Sequence, residues 1–420
     1  MNKIKKFFSI LGPGFITGAS DDDPSGIATY AQAGARFGYS QLWTALFLFP
    51  FMALIQEMCG RIGLVTGKGL AGVLRVHYPK WVLFGAVTLL VIANTINIGA
   101  DLGAMAASGQ LVFGMPFMVW LFGITIGTLC LEIFVSYPVY ARFLKYLTLS
   151  LLSYVVVVVM VKQNWSSIAI STLIPSFSFQ KEYLISLVAL LGTTLSPYLF
   201  FWQASQEVEE TRNHRGSKVF GLSASAIARK EITQMRLDTI LGMLFSNLIM
   251  FFIIATTAST LHVNGIFDIK TADQVAMALR PIVGDFAYLL FAVGIVGTGL
   301  LAVPILAGSA SYAVSESLRW NWGLSKKFNQ AHGFYAIIII ATVIGLLVNF
   351  IPIQPFQMLY YAAILNGICA PPLIFLILLV ANNKKIMGER VNGPIINTLG
   401  IIIITVMFVA ALLLLYTLVF

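Results

Sequence analysis

Apolar stretches long enough to cross a bilayer recur from one end of this 420-residue chain to the other. That recurrence fixes the fold class before any motif is considered, because a spanning helix needs about 20 apolar residues. The chain is 58% hydrophobic and 10% charged, with a mean hydropathy of +0.88, far from the balance of a water-soluble domain. In hydrocarbon every backbone N–H and C=O must find a partner within the protein, so such a chain folds as helices. Eleven spans are expected, at roughly 9–37, 41–65, 81–107, 114–137, 143–162, 181–204, 236–261, 283–312, 333–351, 355–380 and 394–418.

The formal charge of +9 does not call for nucleic acid. With the N-terminus in the cytoplasm, 21 of the 26 Lys and Arg residues fall in inside loops or at inside span ends, the largest group running from Arg212 to Arg236. Arg36, Lys162, Lys181, Lys270 and Arg280 are left outside. This is the positive-inside pattern of a multi-pass protein of the cell (inner) membrane, and eleven spans then put the C-terminus outside. Cys59, Cys130 and Cys369 are scattered in apolar surroundings without metal-ligand or redox spacing, so they read as structural thiols.

Two spans are interrupted. The first carries Gly18-Ala19-Ser20-Asp21-Asp22-Asp23-Pro24-Ser25-Gly26 at its centre. A carboxylate at membrane depth costs several kcal/mol and usually faces a water-filled cavity or a cation. Pro24 removes a backbone donor, and Gly26 tolerates almost any backbone angle. The stretch therefore reads as a broken helix, a form tolerated at membrane depth where it lines a cavity. Two alternatives are weaker. As an exposed turn it would leave arms too short to span, and as a cleaved leader its apolar run is interrupted by Gly12-Pro13-Gly14. The sixth span repeats the pattern in Gly192-Thr193-Thr194-Leu195-Ser196-Pro197-Tyr198. Paired interruptions five spans apart point to two inverted repeats, residues 1–162 and 163–380, followed by an inside loop and an eleventh span in 381–420.

The two breaks offer oxygen. Asp23 brings an anionic donor, Thr193 and Ser196 bring hydroxyls, and unwound backbone near Gly26 and Thr193 adds carbonyls. Such donors suit a hard cation such as magnesium, which keeps several of its waters. No Met, Cys or His adjoins either break in sequence, so a softer transition metal has no preferred ligand there. Consecutive helical residues point about 100° apart, so the three aspartates cannot share one ion. Asp23 is expected at the site, Asp22 next nearest, and Asp21 in a vestibule or hydrogen-bonded to a neighbouring helix. Ser20 and Ser25 are expected along the pathway. Gln203, Gln206 and Glu207 follow the second break toward the inside and are candidates for an exit path, and Asn366 lies at mid-membrane depth in span 10.

Gly12-Pro13-Gly14-Phe15 followed by Asp23-Pro24 resembles the opening of the Nramp family of divalent-metal transporters, whose broken first span carries a DPGN motif. Thr193 to Tyr198 stand where that family has A-x-x-M-P-H, and the length and the Lys384, Met387, Gly388 stretch also fit. The resemblance implies an all-α, LeuT-like 5+5 inverted repeat of eleven transmembrane helices with helices 1 and 6 broken. It further implies alternating access, with spans 1 and 6 moving against a scaffold of spans 3, 4, 8 and 9. The family's metal-binding Asp is retained as Asp23, and Thr193 matches the position that supplies a carbonyl. Its Asn partner is replaced by Gly26, its metal-binding Met by Ser196, and the His linked to proton transfer by Tyr198. In span 3 the D-x-x-E pattern keeps Asp101 but has Ala104 in place of the glutamate, and span 9 has no charged residue between Phe334 and Ile351. Together these departures resemble the Nramp-related magnesium transporters. They imply uptake of a largely hydrated magnesium ion, with manganese also carried, without proton coupling and without a bound cofactor; a monomer would suffice.

Other polar residues read more plainly. Glu57 and Arg61, four apart, form an ion pair. Glu132 is placed at the membrane interface beside Tyr137 and Tyr140, and Asp101 reads as a leftover relay acid or part of a vestibule, or as hydrogen-bonded packing polarity. Asp238 pairs with Arg236 or caps a helix. His77, His214, His262 and His332 fall in loops or at span ends, leaving no intramembrane histidine switch. No phosphate-binding loop, HExxH or Ser/His pair suggests an enzyme. The rivals are a proton-coupled manganese or iron symporter, an amino-acid symporter of the same architecture, and a receptor, for which Val419-Phe420 after the last span leave no output domain.

Overall fold

The protein is described by a computed structural model over residues 12–135, 151–161, 164–215, 229–280 and 284–419. Among the described residues every regular element is a helix. The first span is α1 (Pro13–Asp21) and α2 (Pro24–Phe37), separated at Asp22 and Asp23. There follow α3 (Trp43–Thr66), a short α4 (Leu70–His77), α5 (Lys80–Phe113), α6 (Phe117–Phe134), α7 (Leu152–Met160) and a second short helix α8 (Trp165–Leu173). The sixth span is α9 (Lys181–Thr194) and α10 (Pro197–Arg215), and α11 (Arg229–Thr257) continues through a π-turn, Ala258–His262. The remainder is α12 (Ala272–Ala276), α13 (Ala287–Leu318), α14 (His332–Val348), α15 (Pro355–Asn382), α16 (Lys384–Met387) and α17 (Pro394–Val419).

Among the described residues eight helices, counting α9 with α10 as one, are long and apolar enough to cross a membrane. The broken first span and the 17-residue α14 add two more. The first part of the fifth expected span, 143–150, lies outside the described residues, as do Arg142, Lys145, Tyr137 and Tyr140, and α7 occupies the rest. Boundaries differ from expectation where helices run longer than the apolar stretches. The third span continues to Phe113 and the eighth to Leu318, while α4 and α8 carry too few apolar residues to register as spans.

Burial sorts the helices. The apolar window of α9 and α10 is 94% buried, whereas that of α6 is 22% buried and that of α17 is 39% buried. The interrupted span is central, and the unbroken ones at the rim turn Val119, Phe122, Ile126, Ile401 and Leu412 outward. Apolar surface of that extent is stable against lipid and not against water. α5, α6, α13 and α14 pack on one another as a unit, while α1 packs on α11 and α9 on α15. The closest approaches are made by glycine. A Cβ at Gly18 would lie 2.2 Å from the Gly242 carbonyl, and one at Gly192 would lie 2.1 Å from the Ala363 carbonyl oxygen. Backbones at that distance exclude any side chain, which fixes both breaks against their neighbours.

Candidate metal centre

The first break is built by chain chemistry. Pro24 cannot donate, so α2 begins there, and Asp23 becomes its N-cap. Asp23 Oδ1 accepts from the Gly26 backbone N–H at 2.6 Å and from the Ser25 hydroxyl at 2.6 Å. Its Oδ2 accepts from Asn97 Nδ2 of α5 at 2.9 Å. Among the described residues no Lys or Arg pairs with it, although it is 1% exposed. The positive end of the α2 dipole favours an anion here.

The second break faces it. A Cβ at Gly26 would meet Thr193 Oγ1 at 3.2 Å and the Asp21 carbonyl oxygen at 3.0 Å. The Ser196 hydroxyl donates to the Thr193 carbonyl at 2.6 Å and lies 3.0 Å from that of Gly192. Tyr198 stitches the breaks together, its hydroxyl donating to the Ser20 carbonyl at 2.8 Å, while the Ser309 hydroxyl of α13 donates to the Tyr198 carbonyl. Ser20 itself donates to the Thr17 carbonyl. Asp23, Gly26, Thr193, Ser196, Ser20, Ser25 and Tyr198 are thereby brought together.

The other candidates divide. Asp101 is fully buried one helical turn beyond Asn97, and neither of its carboxylate oxygens has a hydrogen-bond partner. Asn366 is buried with Nδ2 unpartnered, and its neighbour Gly367 meets Gly192 at the second break. Asp22 turns away from Asp23. With Asp21 it faces Ser246 of α11, whose hydroxyl is 2.6 Å from Asp21 Oδ2 and 3.2 Å from Asp22 Oδ1. The backbone leaves the helix at Asp22 and is extended at Asp23, and this turn directs the Asp21 and Asp22 side chains to α11 while Asp23 caps α2. Gln203 accepts from Thr17 Oγ1 at 2.6 Å and donates to Glu207 at 3.0 Å, a buried polar chain between α1 and α10, while Gln206 donates to Tyr312.

Asn97 escaped the sequence reading. Nothing distinguishes it from Asn94 in the same apolar span until the fold lays α5 beside Asp23. Sulfur is nearer than sequence adjacency suggested: Met250 Sδ of α11 lies 3.8 Å from Thr194 Oγ1. Of the two readings of Asp238 the cap holds, and the helix capped is α1: it accepts from Gly12 at 2.8 Å, Gly14 at 2.7 Å and Phe15 at 3.3 Å. The expectation for Glu132 changes. Glu132 is 4% exposed, so it is turned into the protein and not toward the interface, and among the described residues its carboxylate has no hydrogen-bond partner. Glu57 and Arg61 do pair, at 3.0 Å, and Arg236 joins Glu57 at 2.7 Å.

Open space lies on the α2 side of the breaks. A cavity of about 400 Å³ is lined by Ala107 and Gln110 at the end of α5, by 270–273 and by the start of α15. A second, of about 230 Å³, runs along Ala28, Gln32 and Arg36 of α2 and shares Lys270 and Phe356 with it. On the opposite side α1 is sealed against α11 by Asp238 and by the Gly18 and Gly242 contact.

A family model described as natural resistance-associated macrophage protein-like, or Nramp, matches residues 14–417. A divalent metal cation transporter, MntH, of Yersinia enterocolitica is 24% identical over 413 residues, 95% of this chain and 92% of that protein. An MntH of Caldanaerobacter subterraneus subsp. tengcongensis is 24% identical over 421 residues, 99% of this chain and 94% of that one. Among solved structures, a manganese transporter of Eremococcus coleocola superposes with a TM-score of 0.76 at 16% identity, covering 99% of this chain and 87% of that one. Inward-facing Mhp1 superposes with a TM-score of 0.56 at 14% identity, covering 96% of this chain and 89% of that one. The structural likenesses speak for the fold, and the match over nearly the whole sequence speaks for descent: the chain belongs to the Nramp family.

Proposed function

We propose that this protein is a transporter of divalent metal cations, and that magnesium, with manganese as a second ion, enters the cell through it by alternating access without proton coupling. The observation that carries the reading is the donor set between the two breaks. Asp23, Thr193, Ser196 and the Thr193 carbonyl all offer oxygen, and Asp101 lies beside them with two carboxylate oxygens that have no hydrogen-bond partner. Oxygen donors of this kind suit a hard ion that keeps part of its water shell. The divalent-cation class is shared with the MntH relatives.

Each part has a role. Asp23 supplies the negative charge, Thr193 its carbonyl once Ser196 releases it, and Ser196 a neutral hydroxyl where a thioether would select a softer ion. Gly26 leaves room that a longer side chain would fill, and Tyr198 couples the two half-helix pairs through Ser20. The repeats at 1–162 and 163–380 supply one break each. A membrane potential of 100 mV favours inward movement of a divalent ion by about 4.6 kcal/mol, so uptake needs no proton. A proton-coupled manganese symporter is the second reading, favoured by the unpartnered carboxylate of Asp101.

Uptake into proteoliposomes holding a magnesium-sensitive dye, with a pH dye in parallel, decides between them. Magnesium uptake without acidification, lost in Asp23→Ala, is expected. Manganese-only uptake accompanied by acidification would replace the first reading with the second.

A further inference from the structure

Ahead of the sixth span the chain runs from Asn164 to Gln180 without an Asp, Glu, Lys or Arg. Asn164 opens α8 as its N-cap, with Oδ1 accepting from the Ser167 backbone N–H at 3.1 Å. Pro175 ends the helix, because the residue before a proline is driven toward extended backbone. Nine residues at 1.5 Å each reach about 13.5 Å, less than half of a hydrocarbon core of about 30 Å, so α8 cannot cross it. Its surface is not built for water either. Trp165, Ile170, Leu173, Ile174, Phe177 and Phe179 are 52–76% exposed, and within α8 Ile168 alone is buried. At about 100° per residue, Trp165, Leu173 and Ile170 fall within an arc of about 140°, with the exposed Ala169 between them. An uncharged apolar face of that extent marks a contact surface.

The neighbours say what covers it. α8 packs on the start of α3 and on the turn at Gly38–Gln41. The first turns of α3 expose Leu46 and Phe47, so the apolar face of α8 adjoins the outward side of a helix long and apolar enough to span. Lys181 and Glu182, both exposed, follow the segment directly, and Glu182 lines the cavity of about 230 Å³. That places the segment at the level where the bundle meets water. The remainder of the segment is tied to both broken spans. The Ser176 hydroxyl donates to the carbonyl of Ser40, just beyond α2, at 2.6 Å, and the Tyr183 hydroxyl of α9 donates to the Ser176 carbonyl at 2.6 Å. The Tyr183 ring meets Phe37, the last residue of α2, edge-on at 5.4 Å and Phe177 at 6.0 Å.

We propose that residues 164–180 are an interfacial anchor whose partner is the lipid surface at the α2 end of the bundle. α8 lies in the plane of the membrane, with its Trp165, Ile170 and Leu173 face and the rings of Phe177 and Phe179 set into lipid just below the head groups. Tryptophan favours that depth, where its apolar ring and polar N–H are both accommodated, and a short helix with one apolar face lies there without spanning. No anionic head group is called for, since the segment carries no positive charge. Through Ser40, Ser176 and Tyr183 the anchor reaches the ends of α2 and α9, one from each broken span, so both half-helices turn about an end that the bilayer holds. The inference depends on the membrane placement of the chain and not on the ion or its coupling.

Spin labels on the full-length protein in phosphatidylcholine vesicles test it, at Leu173→Cys and at Phe179→Cys, with the exposed Cys130 replaced by Ser. Labels at Phe122→Cys, on the outward face of α6, and at the exposed Lys385→Cys of α16 supply the lipid and water references. At Leu173 and Phe179, collisions with oxygen should exceed those with a water-soluble nickel chelate, as at Phe122, and the chelate collisions seen at Lys385 should be lost. Chelate collisions equal to those at Lys385 put the segment in water and overturn the anchor. Labels shielded from both reagents put it against protein, a second copy or another part of this chain, and overturn it as well. Trp165 gives an independent reading that needs no label: the emission lost in Trp165→Phe should be quenched more by lipids brominated near the head group than by lipids brominated near the chain end. Quenching by neither, or chiefly by the second, overturns the anchor.

Discussion

Asp238→Ala removes a side chain that holds the start of α1. Three backbone N–H groups, of Gly12, Gly14 and Phe15, then lose their acceptor, two of them from short bonds at 2.8 and 2.7 Å. Loss of an N-cap costs about 0.5–2 kcal/mol, and a hydrogen bond to a charged acceptor contributes about 1.5–3 kcal/mol. The released N–H groups regain water when α1 lifts from α11, so the sum falls short of three full bonds, at about 2–4 kcal/mol. At about 1.4 kcal/mol per decade, the undocked fraction of α1 rises roughly 30- to 1000-fold. Hydrogen exchange in nanodiscs reads this directly as lost protection of the amides from Phe15 to Ser20, with the amides of α13 as an internal reference. Asp238→Asn should fall between, because one carbonyl oxygen still serves Gly12 while the amide group opposes the Gly14 N–H. If protection over Phe15 to Ser20 is unchanged in the Ala variant, the carboxylate does not hold α1 and the reasoning from its three bonds is wrong.

Ser196→Met places a thioether beside Thr193 and should raise the preference for manganese or cadmium over magnesium in competition uptake; an unchanged preference would remove position 196 from the ligand set. Gly192→Ala drives a Cβ to 2.1 Å from the Ala363 carbonyl oxygen and should destabilise by about 1–3 kcal/mol, read as a lower Tm. The matched control Gly123→Ala has nothing within 4 Å of its Cβ and should be neutral or stabilising by about 0.5–1 kcal/mol; equal shifts in the two variants would refute the packing argument. Asn97→Leu leaves Asp23 Oδ2 without its donor at a cost of about 1–3 kcal/mol, so the ion-free protein should melt lower and the magnesium-induced rise in Tm should grow. A rise equal to the wild type's would mean that Asn97 does not compete with the ion.

The breaks were legible because proline and glycine act locally. Pro24 and Pro197 start helices wherever they stand, and the acid and hydroxyls beside them announce themselves against an apolar background. The pairing of Glu57 with Arg61 was legible for the same reason, since four residues make about one helical turn. What sequence order could not supply was which helix lies against which. Asp238 and Gly12 are 226 residues apart, and Asn97 and Asp23 are 74 apart. No periodicity marks either partner. Glu132 misled for a related reason: position along a span gives depth in the membrane, and only packing decides whether a side chain at that depth faces lipid or protein.

The centre between the breaks is closed upon itself. Asp23 is ringed by Ser25, Gly26 and Asn97, and the Thr193 carbonyl is covered by Ser196, so the groups proposed to take the ion are already hydrogen-bonded within the protein. A carrier must travel back after each delivery, and one whose vacated ligands are left bare would have to recruit a counter-ion to make that journey. Here hydroxyl and amide hydrogens solvate the carboxylate and carbonyl from within. In the transport cycle proposed above, this equips the unloaded protein to make the homeward half of the cycle alone, and it makes the rate of return depend on how readily Ser196 and Asn97 take up and give up their places.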